Sequence, residues 1–379
     1  MAKSKTKLPK LKERILEQLR AVRQPVYDPT KAGMQLPESM TDDQISLTGI
    51  SGSGQPPMGK QEIKYNLDWL RGALQSACEI ELFTIPPYLY ALWSIKDQEH
   101  YAAKSIRKVV MEEMQHLGMV CNLLKAIGAT PDLTSEGRYP EYPEDLPDMI
   151  HSELEIGLSP FSKTSTLNFM EIERPYRLGQ VKQYLSVWSQ ESYNTIGQLY
   201  DAIAEAFKKL EPDLQLAGQI TGPRAPMAIS SVEQAISAIN QIKTQGEGSI
   251  DDPNDPDGGL AHYYSFGELH HGNKFDRNTG KWTGEAISEA ETFDILDVPK
   301  GGFERNKLPP QTTKVLDDFN ILYYDTIKGI ETAWRAGRYP GFMSALENMF
   351  SLITIARDLM ENHHLEGKGL GPEFLLRSE

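Results

Sequence analysis

Two neighbouring segments with helical patterns contain three residues of types that bind metals. Glu81 lies in ACEIELFTIPPYLYAL (77–92), and Glu113 and His116 lie in VVMEEMQHLGMVCNLL (109–124). Because residues three apart share a helix face, Glu113 and His116 can contact the same ion. A Glu on one helix with Glu-x-x-His on the next is half of the ligand set with which helical bundles hold two metal ions. Such ligands suit iron or manganese and also accept zinc.

The surroundings of Glu81 favour this interpretation because they are almost entirely apolar. The flanking sequence LFTIPPYL offers no cation. A carboxylate on an inward face needs a partner, so metal coordination or a buried hydrogen-bond network is expected there. Pro86 and Pro87 predict a bend one turn beyond Glu81. A single Glu-x-x-His also arises by chance as a surface pair, so this pattern alone does not decide the function.

Helical periodicity predicts the elements that would position these residues. The patterns cover residues 61–95, 101–127, 178–210, 231–245, 258–271, 313–335 and 339–364. Two connections lie between them, 128–177, rich in Pro and acidic residues, and 272–312, where Asn278-Thr279-Gly280 suits the turn of a small hairpin. The last two helical patterns are assigned to packing, and their charged residues, among them Glu331 and Glu361, are expected to be solvated.

The start of the chain differs from the rest in charge and composition. The first 25 residues carry eight Lys or Arg and two Glu, which gives them +6 and leaves −20 for the rest of a chain of net charge −14. This leader could be an amphipathic helix that docks on the body or on a second copy of the chain, as in a homo-oligomer; membrane-surface contact or targeting is the alternative. We expect residues 1–60 to be a basic leader and surface-wrapping loop, and 61–379 to be one helical domain.

Composition excludes several classes of protein. The net charge of −14 argues against nucleic acid as a partner. The longest uncharged run, 82–95, is too short for a membrane span, and no apolar segment follows the basic start, so a cytoplasmic protein is expected. Cys78 and Cys121 form no C-x-x-C pattern and are expected to be buried thiols.

A series of spaced motifs runs from residue 61 to residue 376. They are ELFTIPPYLYALWSI (81–95), EEMQHLGMVCNLLKAIGATP (112–131), FMEIERP (169–175), YNTIGQLYDAI (193–203), QGEG (245–248), HYYSF (262–266), FN (319–320) and LGPEF (370–374). In this order they resemble the ferritin-like domain family typified by the violacein-pathway iminophenyl-pyruvate dimer synthase. The resemblance implies an all-α fold, a ferritin-like helical bundle, to which the sequence pattern adds extra C-terminal helices, long loops and the small hairpin.

The resemblance also implies a set of metal ligands. Glu81, Glu113 and His116 would form the first half of the site, and Glu247 and His262 the second half. The last two are fifteen residues apart, so only the fold could bring them together. The resemblance does not decide whether the site holds one iron ion or two, or manganese instead.

One bundle position departs from the family. Relatives commonly carry Glu where this chain has Gln198, and an amide is a poorer ligand than a carboxylate. Glu191, seven residues before Gln198 and near the same helix stripe, is the candidate substitute. The loss of one bridging carboxylate would leave a single metal, a changed redox potential or no functional pair.

Three classes of function stay open. The first, which accounts for the most residues, is an oxidoreductase whose metal centre uses dioxygen or peroxide to oxidise a small aromatic or amino-acid-derived molecule in secondary metabolism. The second is an imine-coupling synthase like the violacein-pathway relative. The third is a non-catalytic metal-binding or scaffold bundle, for which Gln198 is the main argument.

Overall fold

Eight α-helices and two short β-ladders make up the part of the chain that the computed structural model describes, residues 64–147, 154–175, 193, 195–248 and 252–376. The helices are α1 (Leu67–Ser94), α2 (Tyr101–Ala126), α3 (Lys163–Ile172), α4 (Ile196–Leu210), α5 (Val232–Gly246), α6 (His262–His271), α7 (Pro310–Ala336) and α8 (Tyr339–Asn362). Strands β1 (Glu144–Asp145) and β2 (Glu155–Ile156) pair antiparallel, as do β3 (His364–Leu365) and β4 (Lys368–Gly369), and a 3-10 turn spans Arg305–Lys307. The predicted all-α class is confirmed.

Helix α1 lies at the centre of the fold. Between Ala77 and Ser94 every residue except Glu79 is buried, as expected for a helix covered on all sides. It packs on α2, α4 and α8, while α2 also contacts α5, α6 and α7. Four further helix pairs are in contact: α3 with α6, α4 with α5, α5 with α6, and α7 with α8. None of the described helices has both the length and the apolar content that crossing a membrane requires.

The two prolines inside α1 leave carbonyl groups without their helical donors. Helix α1 continues through Pro86 and Pro87 to Ser94. Proline has no N–H, so the carbonyl of Phe83 loses the hydrogen bond that residue 87 would normally donate. The Tyr142 hydroxyl donates to this carbonyl at 2.5 Å instead. The Phe83 carbonyl therefore keeps a hydrogen-bond partner inside the buried helix.

Helix α3 is the main difference from the sequence-based prediction, which treated 128–177 as a connection. Ser162 begins the helix: its hydroxyl accepts from the backbone N–H of Ser165, and the Ser165 side chain accepts in return from the Ser162 N–H. This reciprocal cap stabilises a helix of ten residues within a connection dominated by Pro and acidic residues. The helix ends at Glu173, whose backbone N–H bonds the Phe169 carbonyl.

The structure also tests the predicted hairpin turn at residues 278–280 and the predicted exposure of Glu331. The turn at Asn278-Thr279-Gly280 does lie between paired residues, but as isolated bridges, such as Asp276 with Lys281, and not as named strands. The solvated role expected for Glu331 is wrong: Glu331 is 1% exposed and accepts from the backbone N–H groups of Leu133 and Thr134 at 3.1 Å. It thereby ties the loop after α2 to α7.

A buried ion pair fixes the C-terminal segment. Glu373 is 1% exposed, and its carboxylate accepts from both terminal nitrogens of Arg305 (2.7 and 2.6 Å), the Phe303 N–H and the Asn320 amide. Removal of one partner from such a pair leaves an uncompensated charge. Arg305 is 23% exposed and keeps a second partner in Asp317, which limits this cost, so we expect Glu373→Gln to lower the free energy of unfolding by about 1.5 to 3 kcal/mol in urea denaturation. Glu304→Gln, an exposed acid paired with Lys307, is the matched control, and an equal effect of both would contradict the account.

Candidate metal centre

Four segments bring acidic and imidazole side chains to one place in the core. Glu81 comes from α1, Glu113 and His116 from α2, Glu173 from the end of α3, and His262 from the first position of α6. All five are buried, with exposed fractions between 0% and 4%. Charged groups with so little exposure require partners of opposite charge or a metal.

The ligand atoms of these residues form two groups that share one carboxylate. Group A consists of Glu81, Glu113 and His116, and group B of Glu113, Glu173 and His262; within each group the atoms lie within 4.8 Å of one another. The Nδ1 atom of His116 lies 3.5 Å from oxygens of both Glu81 and Glu113. Glu113 belongs to both groups and would contact both ions if each group held one.

The Nδ1 atom of His262 tests whether this arrangement fits a metal. It lies 2.7 Å from Glu113 Oε1 and 3.7 Å from Glu173 Oε1. Yet it has no hydrogen-bond partner of acceptable geometry among the described residues, in a site where its own exposure is 0%. A buried imidazole nitrogen beside two carboxylate oxygens, without a well-oriented hydrogen bond to either, suits the coordination of a metal ion. The residues therefore fit the ion.

Each carboxylate of the two groups accepts a hydrogen bond from a buried hydroxyl. Tyr200 donates to Glu81, Thr84 donates to Glu113 at 2.8 Å, and Tyr88 donates to Glu173 at 2.7 Å. These partners hold the carboxylates in fixed orientations, as outer-sphere residues do in metal sites.

The two imidazoles have outer partners of different charge. His116 Nε2 lies 2.9 Å from Oε1 of Gln245, a neutral amide, whereas His262 Nε2 lies 3.0 Å from Oε2 of Glu112. In the tautomer whose Nε2 carries the proton, each ring donates outward and presents Nδ1 to its ligand group. The rings lie nearly parallel, with centroids 5.6 Å apart.

The carboxylates and imidazoles shift one another's pKa values. Burial, with the charge of Glu113, raises the pKa of Glu81 to about 7. Burial would also raise the pKa of Glu113, but the adjacent imidazoles of His116 and His262 lower it far below its usual value. Burial would lower the pKa of both histidines, but for His116 the Glu113 and Glu81 carboxylates raise it to about 10, and for His262 Glu112 and Glu113 raise it well above its usual value. Without a metal, protons on the histidines balance the acids.

A small cavity adjoins the two groups. Its volume is about 20 Å³, counted as space open to the centre of a water molecule, which is room for one or two water-sized species. Its walls include Ile196, Gly197 and Tyr200 of α4 and Ile242, Lys243 and Gly246 of α5. Lys243 is the half-buried member of the described lining, where the other residues are buried, so the cavity approaches solvent beside this side chain.

The structure describes two of the remaining predicted ligands, Glu247 and Gln198, but not the third, Glu191. Glu247 lines the cavity, but its Oε1 accepts from the Gly197 N–H at 2.6 Å, and neither ligand group includes it. Burial raises the pKa of Glu247 to about 7. Gln198 is half-buried in the first turn of α4 and is not among the residues that line the cavity. Glu191 lies outside the described residues, as do the leader and the proposed domain boundary at residue 60.

Glu173 is the site residue that sequence reasoning missed. The motif FMEIERP was noted, but no role was given to its glutamates, because α3 itself was not predicted. The available signal was Ser162 with Ser165 three positions later, which marks a helix start. A ten-residue helix from that point ends at Glu173, beside Pro175. Glu173 thus supplies a third carboxylate to the cluster, which Gln198 does not.

Gly197 leaves room for the Glu247 carboxylate. A Cβ atom at this position would lie 2.3 Å from Glu247 Oε2 and 2.8 Å from its Cδ. Because the carboxylate is enclosed, we expect Gly197→Ala to destabilise the protein by about 1 to 3 kcal/mol in urea denaturation. The control is Gly72→Ala in α1, where nothing lies within 4 Å and a gain of roughly 0.5 to 1 kcal/mol is expected. Equal stability of the Gly197 variant and the native protein would contradict this prediction.

The fold and the buried cluster together define a class, helical bundles with a carboxylate and histidine site. The sequence profile described as Ferritin-like matches residues 74–271, slightly more than half of the chain and all five residues of groups A and B. The chain belongs to the ferritin-like family. The crystal structure of a ferritin-like protein from Caulobacter vibrioides is similar, with a TM-score of 0.56 and 20% identity over 83% of this chain and 99% of that chain.

This likeness, at 20% identity, concerns the fold. No curated protein sequence matches the chain. The ferritin-like fold predicted from the motifs is confirmed, and the closer likeness to the violacein-pathway synthase stays a prediction.

Proposed function

We propose that the chain is a metal-dependent oxidoreductase in which Glu113 bridges two ions, iron or manganese. The observation that carries this proposal is the convergence of two buried ligand groups on one carboxylate, that of Glu113. Glu81 and His116 would hold the ion of group A, and Glu173 and His262 the ion of group B. Three carboxylates and two imidazoles are a donor set that suits these metals. Glu247 stands next to the centre as a further carboxylate.

When bound, the metal pair supplies electron transfer with dioxygen or peroxide. The protein's own residues provide the setting for that chemistry. Tyr200, Thr84 and Tyr88 hold the three carboxylates in place, and Glu112 and Gln245 fix the imidazole rings. The apolar walls, such as Ile80 and Ile242, limit the water that reaches the cavity.

The size of the cavity limits what reaches the metals. A volume of about 20 Å³ accommodates dioxygen or peroxide but not an aromatic ring. A small amino-acid-derived or aromatic substrate of secondary metabolism, as the motifs suggest, would therefore approach beside Lys243, where the lining is half-buried. For such a substrate to contact the ions directly, the cavity would have to widen beside Lys243.

The test is a measurement of dioxygen consumption. The protein is first loaded with Fe²⁺ under anaerobic conditions and then mixed with a solution that contains dioxygen. We expect the wild-type protein to consume dioxygen faster than the same concentration of free Fe²⁺, and a chelator to abolish this difference. Glu205→Gln, a change at an exposed pair with Lys209, should behave as the wild type. Binding of two irons without faster consumption would contradict the oxidoreductase and favour a scaffold. Coupling activity that survives chelation would favour the metal-free synthase.

A further inference from the structure

The outer partners of the two histidines make the two ligand groups unequal. His116 Nε2 contacts the amide of Gln245, which also accepts from the Gln241 amide at 3.4 Å. His262 Nε2 contacts the carboxylate of Glu112. The outer partner in group A is therefore neutral, whereas the outer partner in group B is an acid.

Further contacts hold the Glu112 carboxylate in place. Its other oxygen, Oε1, lies 3.3 Å from Nζ of Lys108, and the same ammonium binds Asp255, whose side chain is fully buried. One cation between two acids leaves this cluster with a net charge of −1. Asp255 also accepts from the Gly259 N–H at 2.7 Å, in the loop that leads into α6. Glu112 thus stays next to His262 because the α2 surface and the loop before α6 both hold it.

We propose that the two metal positions differ in affinity, and that group B binds its ion first because Glu112 accepts a hydrogen bond from His262. This inference rests on the two-metal centre proposed above. A carboxylate behind an imidazole makes the ring a stronger donor and adds negative charge one ring away from the ion. The amide of Gln245 does neither for group A. Glu112 acts here as a positioning residue, through His262.

The experiment is a titration of metal-free protein with Mn²⁺ alone, in which the electron paramagnetic resonance signal of free Mn²⁺ reports binding. We expect two steps, a tighter one followed by a weaker one. His262→Ala should remove the tighter step and His116→Ala the weaker one, which assigns the steps to groups B and A.

Two reciprocal changes then test the cause. Glu112→Gln keeps the shape of the side chain and removes its charge, and should weaken the tighter step by about 10- to 100-fold while the other step is unchanged. Gln245→Glu should strengthen the weaker step by a similar factor, and the double variant should reverse the order. Glu291→Gln, at an exposed pair with Lys96, is the control and should alter neither step. Thermal unfolding of each metal-free variant separates these effects from loss of fold.

The possible results are distinct. A selective loss of the tighter step in Glu112→Gln, with the opposite change in Gln245→Glu, supports the inference. Equal steps in the wild-type protein, or an equal weakening of both steps by Glu112→Gln, would overturn it while the two-metal centre stands. Binding of fewer than two Mn²⁺ per chain would instead overturn the proposed centre itself.

Discussion

Glu113→Ala is expected to remove both metal ions, whereas Glu81→Ala should leave about one. The reason is geometric: Glu113 belongs to both ligand groups, and Glu81 belongs to group A alone. Loss of Glu113 also removes a carboxylate that lies 3.5 Å from Nδ1 of His116 and 2.7 Å from Nδ1 of His262. The measurement is elemental analysis of metal per chain in protein produced with iron and manganese available.

The control for this comparison is Glu79→Ala. Glu79 lies on α1 close in sequence to Glu81, but it pairs with Arg138 outside the cluster. It should keep the metal content of the wild type. If Glu113→Ala retained one ion, Glu113 would not be a bridge, and if it retained two, the assignment of both groups would be wrong. An unchanged melting temperature in Glu113→Ala would favour a scaffold that needs no metal.

Metal uptake is expected to release about two protons per chain at pH 7 and to strengthen steeply as the pH rises. In the metal-free protein the pKa of His116 is about 10 and that of His262 is raised well above its usual value, so both rings carry a proton at pH 7. Each ion must displace one of these protons. With two protons exchanged, the overall affinity for the ion pair should rise up to about 100-fold per pH unit between pH 7 and 9.

Calorimetric titration with Mn²⁺ in buffers of different ionisation enthalpy gives the number of protons directly. The sign follows from the pKa shifts: acid keeps the histidines protonated and opposes binding, and alkali removes the protons and favours it. Glu81, with a pKa of about 7, should add a fraction of a proton at neutral pH. His364→Ala, a change at an exposed histidine, should leave the count unaltered. Binding with no proton release would mean that both histidines are already neutral.

The part of the fold that the sequence predicted is the part with long amphipathic or apolar patterns. Helix α2 was predicted to within one residue at both ends, whereas the pattern assigned to α1 begins six residues before the helix does. Both exceed 25 residues, so their periodicity is sampled over many turns. Helix α3 was missed because it lies in a connection dominated by Pro and acidic residues, whereas α6, also ten residues long, falls within the longer helical pattern 258–271. Glu331 was misassigned because burial by a distant loop, Leu133 and Thr134, leaves no mark on the local pattern.

The candidate site shows the same division between local and distant information. Glu113 and His116 are three apart on α2, and Glu81 precedes them in an apolar helix, so spacing and composition pointed to group A. Group B draws on α2, the end of α3 and the start of α6, residues far apart in sequence. The resemblance to the family supplied His262, but it gave no role to Glu173, and nothing local separates its carboxylate from the solvated acids nearby. Whether these residues bind metal stays a prediction.

The most direct test of the two-metal centre is a crystal structure of metal-loaded protein with anomalous scattering data at the iron or manganese edge. We predict two peaks, one on each side of the Glu113 carboxylate, the first beside His116 Nδ1 and Glu81, the second beside His262 Nδ1 and Glu173. A single peak, peaks that Glu113 does not share, or no peak in this cluster would contradict it.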